Sequence, residues 1–441
     1  MPSRTSSVNS ATVRRKTLAA LALGHALLDW NGGFWPIFKY MAGMDLGVAG
    51  VMASAPSFFG SLLQPIFGHL AEKGRVRFFI LGGIALTFFM TLLGPLALAR
   101  PALGPGVAIG LMVAALCLTR LGQAMFHPVA GSQAGGLERG RRSTLLAVFV
   151  AIGWAGVSLS QPLFSLAYLL TGGHTEILLV PSFMLLALIT AWYRPVRTPV
   201  PAGGRKGGGT SPVPRWRLVV LFAILALADF LCVGWGYLCP EFMEQKGCPP
   251  LMINGGGAFI MILGTVTMMI PGGILADRFG RRRMIAGTLG VALLFYLGLL
   301  AVPYGSPVLL SVLLFMFGGM VGVANPLGVA HGQELMPHRA STVSGFMMGW
   351  AWAVGSLGSA VAGVIARIPG QGAVGAMRWL ILANAAAFVL ALVFLGMHGP
   401  RRVEQGGRKA ILGEPGIRKP FDQHAAKTRV IGVPSNKYVR Q

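Results

Sequence analysis

The sequence predicts an all-α membrane protein whose twelve transmembrane helices form two pseudo-symmetric bundles of six. Three observations carry that prediction. Hydrophobic residues make up 54% of the 441 residues and charged residues only 11%, against about 25% charged in ordinary soluble domains. Apolar runs, each near the roughly twenty residues that a helix needs to cross a bilayer, recur twelve times along the chain. Finally, a short charged turn sits between two such runs in each half. It reads Gly68-His69-Leu70-Ala71-Glu72-Lys73-Gly74-Arg75 in the first and Gly273-Ile274-Leu275-Ala276-Asp277-Arg278-Phe279-Gly280-Arg281-Arg282-Arg283 in the second. Parallel repeats of this kind build many secondary transporters.

The candidate spans fall at 18–41, 47–71, 77–99, 104–126, 143–170 and 176–194 in the first half, and at 217–240, 251–276, 284–303, 307–330, 341–366 and 375–398 in the second. Proline and glycine inside them do not argue against helix, because neighbouring membrane helices re-satisfy the freed backbone groups. Residues 1–17 are a polar, basic tail, and the run that follows is too long for a signal-peptide core. It is therefore expected to stay as span 1. Residues 195–216, with Pro201-Ala202-Gly203-Gly204-Arg205-Lys206-Gly207-Gly208-Gly209, read as a flexible linker between the bundles. Residues 399–441 are polar and basic, and are expected to be disordered or to lie on anionic lipid.

A net charge of +24 raises the question of nucleic acid. The charge distribution answers it. With both termini cytoplasmic, 31 of the 37 Lys and Arg residues fall in the tails and in the loops of one side. Lys39, Arg100, Lys246, Arg367 and Arg378 lie on the other side, and Arg120 lies inside a helix. This is the positive-inside bias, which orients a multi-pass protein of the inner membrane. The four cysteines do not form a framework. Cys117 and Cys232 fall inside spans as apolar filler, while Cys239 and Cys248 flank an outward loop, where a bridge and free thiols are both open.

The repeat extends beyond the turns. Asp29 and Trp35 match Asp229 and Trp235 at an offset of 200, and Pro128, Ser143, Thr144 and Trp154 match Pro326, Ser341, Thr342 and Trp352 at 198. Small residues at helical spacing mark spans 5 and 11: Gly153, Gly156 and Ser160, then Gly349, Gly355, Gly358, Ser359 and Gly363. They let helices approach closely, either as static packing or as surfaces that rock.

Charge inside a membrane span is expensive, so each such residue is a functional candidate. Three lie well inside: Asp29, Arg120 and Asp229. His25 stands four residues before Asp29, on the same helical face. A carboxylate beside an imidazole can bind and release a proton near neutral pH, while a structural hydrogen bond is the plain alternative. Proton coupling is thus assigned to Asp29, His25 and Asp229. Arg120 cannot deprotonate and acts as a fixed cation. Arg120 and Gln123, with Trp35 and Trp235, are assigned to substrate binding or charge pairing. Gating falls to Gly273, Asp277, Arg278, Gly280, Arg281 and Arg282, with Gly68, Glu72 and Lys73 as the first-half counterparts. Glu241 and Glu244 read as solvated loop residues; His69, His331 and His338 read as polar residues near cytoplasmic ends. No His/Cys/Asp/Glu set has metal spacing, no Walker loop is present, and no nucleophile–base pair marks an enzyme. No cofactor is expected. The expected partners are a small-molecule substrate, protons and the bilayer, and the chain is expected to be a monomer.

The G-x-L-A-D-R-x-G-R-R turn resembles the signature loop of the major facilitator superfamily. Arg120-x-x-Gln123 resembles the helix 4 signature of its proton-driven antiporters, although Ala124 stands where that pattern has Gly. Gly24-His25-x-x-x-Asp29, Leu62-Leu63-Gln64-Pro65-Ile66-Phe67-Gly68-His69-Leu70-Ala71 and Phe126-His127-Pro128-Val129-Ala130 together resemble the fosmidomycin-resistance branch. The resemblance implies twelve helices, cytoplasmic termini and proton-linked export of small molecules. The first signature turn departs from it, with Glu72 in place of Asp and one residue fewer before Gly74. The competing readings are a proton-coupled importer of a metabolite or organic anion and, last, a membrane sensor that has lost transport.

Overall fold

Inside a bilayer the backbone has no water to bond to, so apolar runs must close their hydrogen bonds within themselves as helices. The computed structural model describes residues 4–138, 142–195, 215–336, 343 and 346–397. The described residues are helical with connecting turns. The first half holds α1 (Arg4–Gly32), α2 (Leu46–Glu72), α3 (Val76–Leu98), α4 (Pro105–Gly136), α5 (Arg142–Leu170) and α6 (Leu179–Trp192). The second holds α7 (Arg215–Gln245), α8 (Gly257–Phe279), α9 (Arg281–Ala301), α10 (Pro307–Leu335), α11 (Ala351–Ala366) and α12 (Gly372–Gly396). The tail 399–441, most of the linker, His338, Ser341 and Thr342 lie outside the described residues.

Among the described residues, eleven helices are long and apolar enough to cross a membrane. The helix that falls short is α1, where a basic start and the polar His25, Asp29 and Asn31 dilute the apolar residues. It nevertheless packs inside the bundle, against α5 and α6. The expected span 18–41 is interrupted. Gly33 ends α1 where α5 passes so close that a Cβ would strike the Ser160 side chain. The chain then restarts as a short helix, Trp35–Met41, with proline in its first turn, where a missing N–H costs nothing. The start of α1 also differs: the helix begins at Arg4, within the segment read as a tail.

Helix pairing repeats between the halves. α1 packs on α5 as α7 packs on α11; α2 on α4 as α8 on α10; α3 on α4 as α9 on α10; and α1 on α6 as α7 on α12. The main contacts between halves are α2 with α11 and α5 with α8, which are repeat-mates of each other. Trp154 and Trp352, matched in sequence, meet edge to face with ring centres 6.3 Å apart. The small residues divide between two jobs. Gly153 and Gly156 admit α1, and Gly355 and Gly358 admit α7, all within one half. Ser359 and Gly363 instead face α2 across the halves. The run Asn254-Gly255-Gly256-Gly257 is a close contact. Gly255 adopts φ +107°, and a Cβ there would meet the backbone of Gln161 and Pro162 in α5.

Candidate functional site

The central group is Asp29, held on α1 with little solvent exposure. His25 lies one turn before it and places Nε2 3.1 Å from the Asp29 carboxylate. The His25 ring is pinned from the other side: it stacks on Phe149 of α5 with centres 4.2 Å apart, and its Nδ1 lies 2.8 Å from the Phe149 carbonyl. A carbonyl only accepts, so Nδ1 carries a proton. Nε2 therefore meets the carboxylate either bare, as two acceptors in contact, or protonated. The pair calls for a cation between them, and a proton suffices. Gly153 leaves the space this ring fills.

The second imidazole is the residue missed as a partner by reading the sequence alone. His127 of α4 brings Nε2 within 3.4 Å of the other Asp29 oxygen. His25, Asp29 and His127 offer ligand atoms that all lie within 4.8 Å of one another. Metal spacing along the sequence gave no such set, because the third member is 98 positions from Asp29 and only the α1–α4 contact unites them. The repeat held a signal for it. His127 precedes Pro128 as Asn325 precedes Pro326, and Asn325 places its Nδ2 3.0 and 3.1 Å from the two oxygens of Asp229. Each half thus joins an acid on its first helix to a polar residue on its fourth. The first half supplies imidazoles, and the second an uncharged amide.

Arg120 and Gln123 are together, as assigned: Arg120 Nη1 donates to Gln123 Oε1 at 2.6 Å. Arg120 interacts with Asp29 through space without forming an ion pair with it. Its Nε is buried without a hydrogen-bond partner, which leaves a fixed cation with a donor to spare. Trp35 and Trp235 are elsewhere. Both are buried core side chains, and Trp35 gives its Nε1–H to the Ala49 carbonyl.

The signature turn is built as the spacing predicts. Gly280 adopts φ +90° between α8 and α9, and in the first half Gly74 and Arg75 take φ +122° and +62°. Among the described residues, the ion pairs of the second-half turn stay within that half. Asp277 is exposed and lies 3.7 Å from Arg281, which also pairs with Glu334 of α10. Arg282 donates to the Phe394 carbonyl at 2.6 Å and to that of Met397. Gly68 meets Pro128, while Gly273 faces open space.

Glu241 contradicts its reading as a solvated residue. It is 8% exposed and pairs with Lys39 from the other half. Glu244, by contrast, is exposed. Beyond the end of α7, Lys246 donates to the Leu300 and Val302 carbonyls at 2.9 and 2.8 Å, and burial, with Arg378 adding to it, holds its ammonium below the usual lysine range. Cys239 and Cys248 are both buried and free, and burial pushes the Cys248 thiol up.

The profile of the Major Facilitator Superfamily matches residues 19–359 and 259–433 of the chain. The Fosmidomycin resistance protein of Escherichia coli (strain K12) is 26% identical over 366 residues, covering 79% of this chain and 86% of that protein. The uncharacterised MFS-type transporter YfnC of Bacillus subtilis (strain 168) is 24% identical over 345 residues, covering 75% and 80%. Among solved structures, the nucleoside transporter NupG superposes with a TM-score of 0.63 at 14% identity, covering 87% of this chain and 99% of that one. A bacterial homologue of the human lysosomal transporter Spinster, solved inward-facing and occupied, superposes at 0.67 with 12% identity, covering 87% and 97%.

Proposed function

We propose that this chain, which belongs to the Major Facilitator Superfamily, is a proton-coupled exporter of a small organic molecule working by alternating access. One observation carries the coupling: the His25–Asp29–His127 cluster, in which a carboxylate and an imidazole nitrogen face each other and call for one cation between them. A proton taken there from one side and lost to the other would bias which side the transporter opens. Arg120, a fixed cation beside that site with an unpartnered Nε, is the natural contact for an acidic substrate group. Export is favoured over import by the likeness to a fosmidomycin resistance protein over most of both chains. By the positive-inside bias, the protein sits in the inner membrane with both termini in the cytoplasm.

Everted membrane vesicles, with and without the protein, test the reading. Candidate cargo is added and proton flux recorded, together with the susceptibility profile of the cells. Substrate-dependent proton efflux from acid-loaded vesicles and lowered susceptibility to the same compound are expected. Proton movement in the same direction as the substrate would make the protein a symporter instead. No substrate-linked proton movement with any exported compound would remove proton coupling.

A further inference from the structure

The end of the bundle away from the signature turn is closed by polar contacts between the halves. Lys39, on the helix Trp35–Met41, is fully buried and pairs with Glu241 of α7. The Tyr237 ring lies 4.4 Å from its ammonium, and the Tyr237 hydroxyl donates to the Leu46 carbonyl, back across the halves. Arg367 Nε meets the Asp45 carboxylate at 3.2 Å. At the other end, the ion pairs of Asp277, Arg281 and Glu334 stay within the second half.

We propose that Lys39 and Glu241 form the lock of the outward gate. The inference rests on the alternating-access reading above. Two buried charges cannot part while dry; they separate only when water reaches both, that is, when this end opens. The lock also carries a built-in cost, because the second Glu241 oxygen is buried with no hydrogen-bond partner. An unsatisfied buried acceptor destabilises the closed state relative to the hydrated one, so the gate holds without being irreversible. Removing one charge strands the other in the closed state and favours opening. Removing both with apolar residues of similar size relieves the desolvation and favours closure.

Cys239 is a native reporter, on α7 beside the pair and 2% exposed. In a background with the other three cysteines replaced by alanine, its labelling by a membrane-impermeant maleimide is timed in right-side-out and in inverted vesicles. Lys39→Met and Glu241→Gln are expected to label about tenfold faster than the parent in right-side-out vesicles. The Lys39→Met/Glu241→Leu double variant is expected to label no faster than the parent. The swap Lys39→Glu/Glu241→Lys, which restores a pair, returns labelling towards the parent rate and separates gating from misfolding. If faster labelling appears only in inverted vesicles, the lock stands and the assigned orientation is wrong. If folded single variants label at the parent rate from both sides, the lock is refuted.

Discussion

An imidazole held between a carbonyl and a carboxylate has little freedom in where it keeps its protons. At His25, Nδ1 is committed to the Phe149 carbonyl, so any change of protonation takes place at Nε2, against Asp29. Replacing His25 with alanine is therefore expected to move the pH optimum of transport more than it lowers the maximal rate, as a pH series of initial rates would reveal. His127→Asn recreates in the first half the acid–amide pair of the second. It is expected to preserve folding and weaken coupling, measured as protons moved per substrate. Arg120→Ala removes the fixed cation, and for an anionic substrate KM is expected to rise at least about tenfold, or about 1.4 kcal/mol. Arg120→Lys would recover part of this, since an ammonium supplies charge without the planar fork; equal KM values for the parent and alanine forms would take Arg120 out of the site. Much of this cluster was legible in sequence, because charge in an apolar run stands out. His127 was harder: it lies near the end of a span, and it acquires a role only through a neighbour 98 positions away.

At the scale of the element, glycine decides where helices meet. A Cβ at Gly156 would run into the backbone of α1 at Ala26. Gly156→Leu is thus expected to destabilise the α1–α5 contact by about 1–3 kcal/mol, read as a lowered melting temperature of the purified protein. Gly273→Ala meets nothing within 4 Å and is expected to melt like the parent. The turn between α8 and α9 tests differently. Asp277 is exposed, and such pairs contribute about 0–1 kcal/mol. Asp277→Asn is therefore expected to leave expression and melting intact while lowering transport, by favouring the state open at the signature-turn end. Parent-level flux and accessibility in that variant would reduce the turn to a topological marker. Periodicity and length exposed the helices, but not the break after Gly32. That break depends on Ser160 approaching Gly33 from α5, a contact between distant segments that no local pattern records. The same limit hid Glu241: a glutamate after a proline near a span end looks solvated until Lys39 arrives from the other half.

Across the whole molecule, two halves with matched internal pairings touch mainly through two matched interfaces, α2–α11 and α5–α8, and also through the contacts of Lys39 and Asp45 with the second half. Duplication of the scaffold has not meant duplication of the chemistry. Asp29 keeps two imidazoles and a nearby guanidinium, while Asp229 keeps one amide. The central claim is that the first-half cluster couples protons to transport. The most direct test is flux in proteoliposomes carrying the parent protein or Asp29→Asn, with and without a pH gradient. The parent is expected to concentrate substrate when a gradient is imposed. Asp29→Asn is expected to lose gradient-driven accumulation while still exchanging substrate down its own gradient. If Asp29→Asn accumulates substrate like the parent, with the same pH dependence, Asp29 is structural and the claim is contradicted.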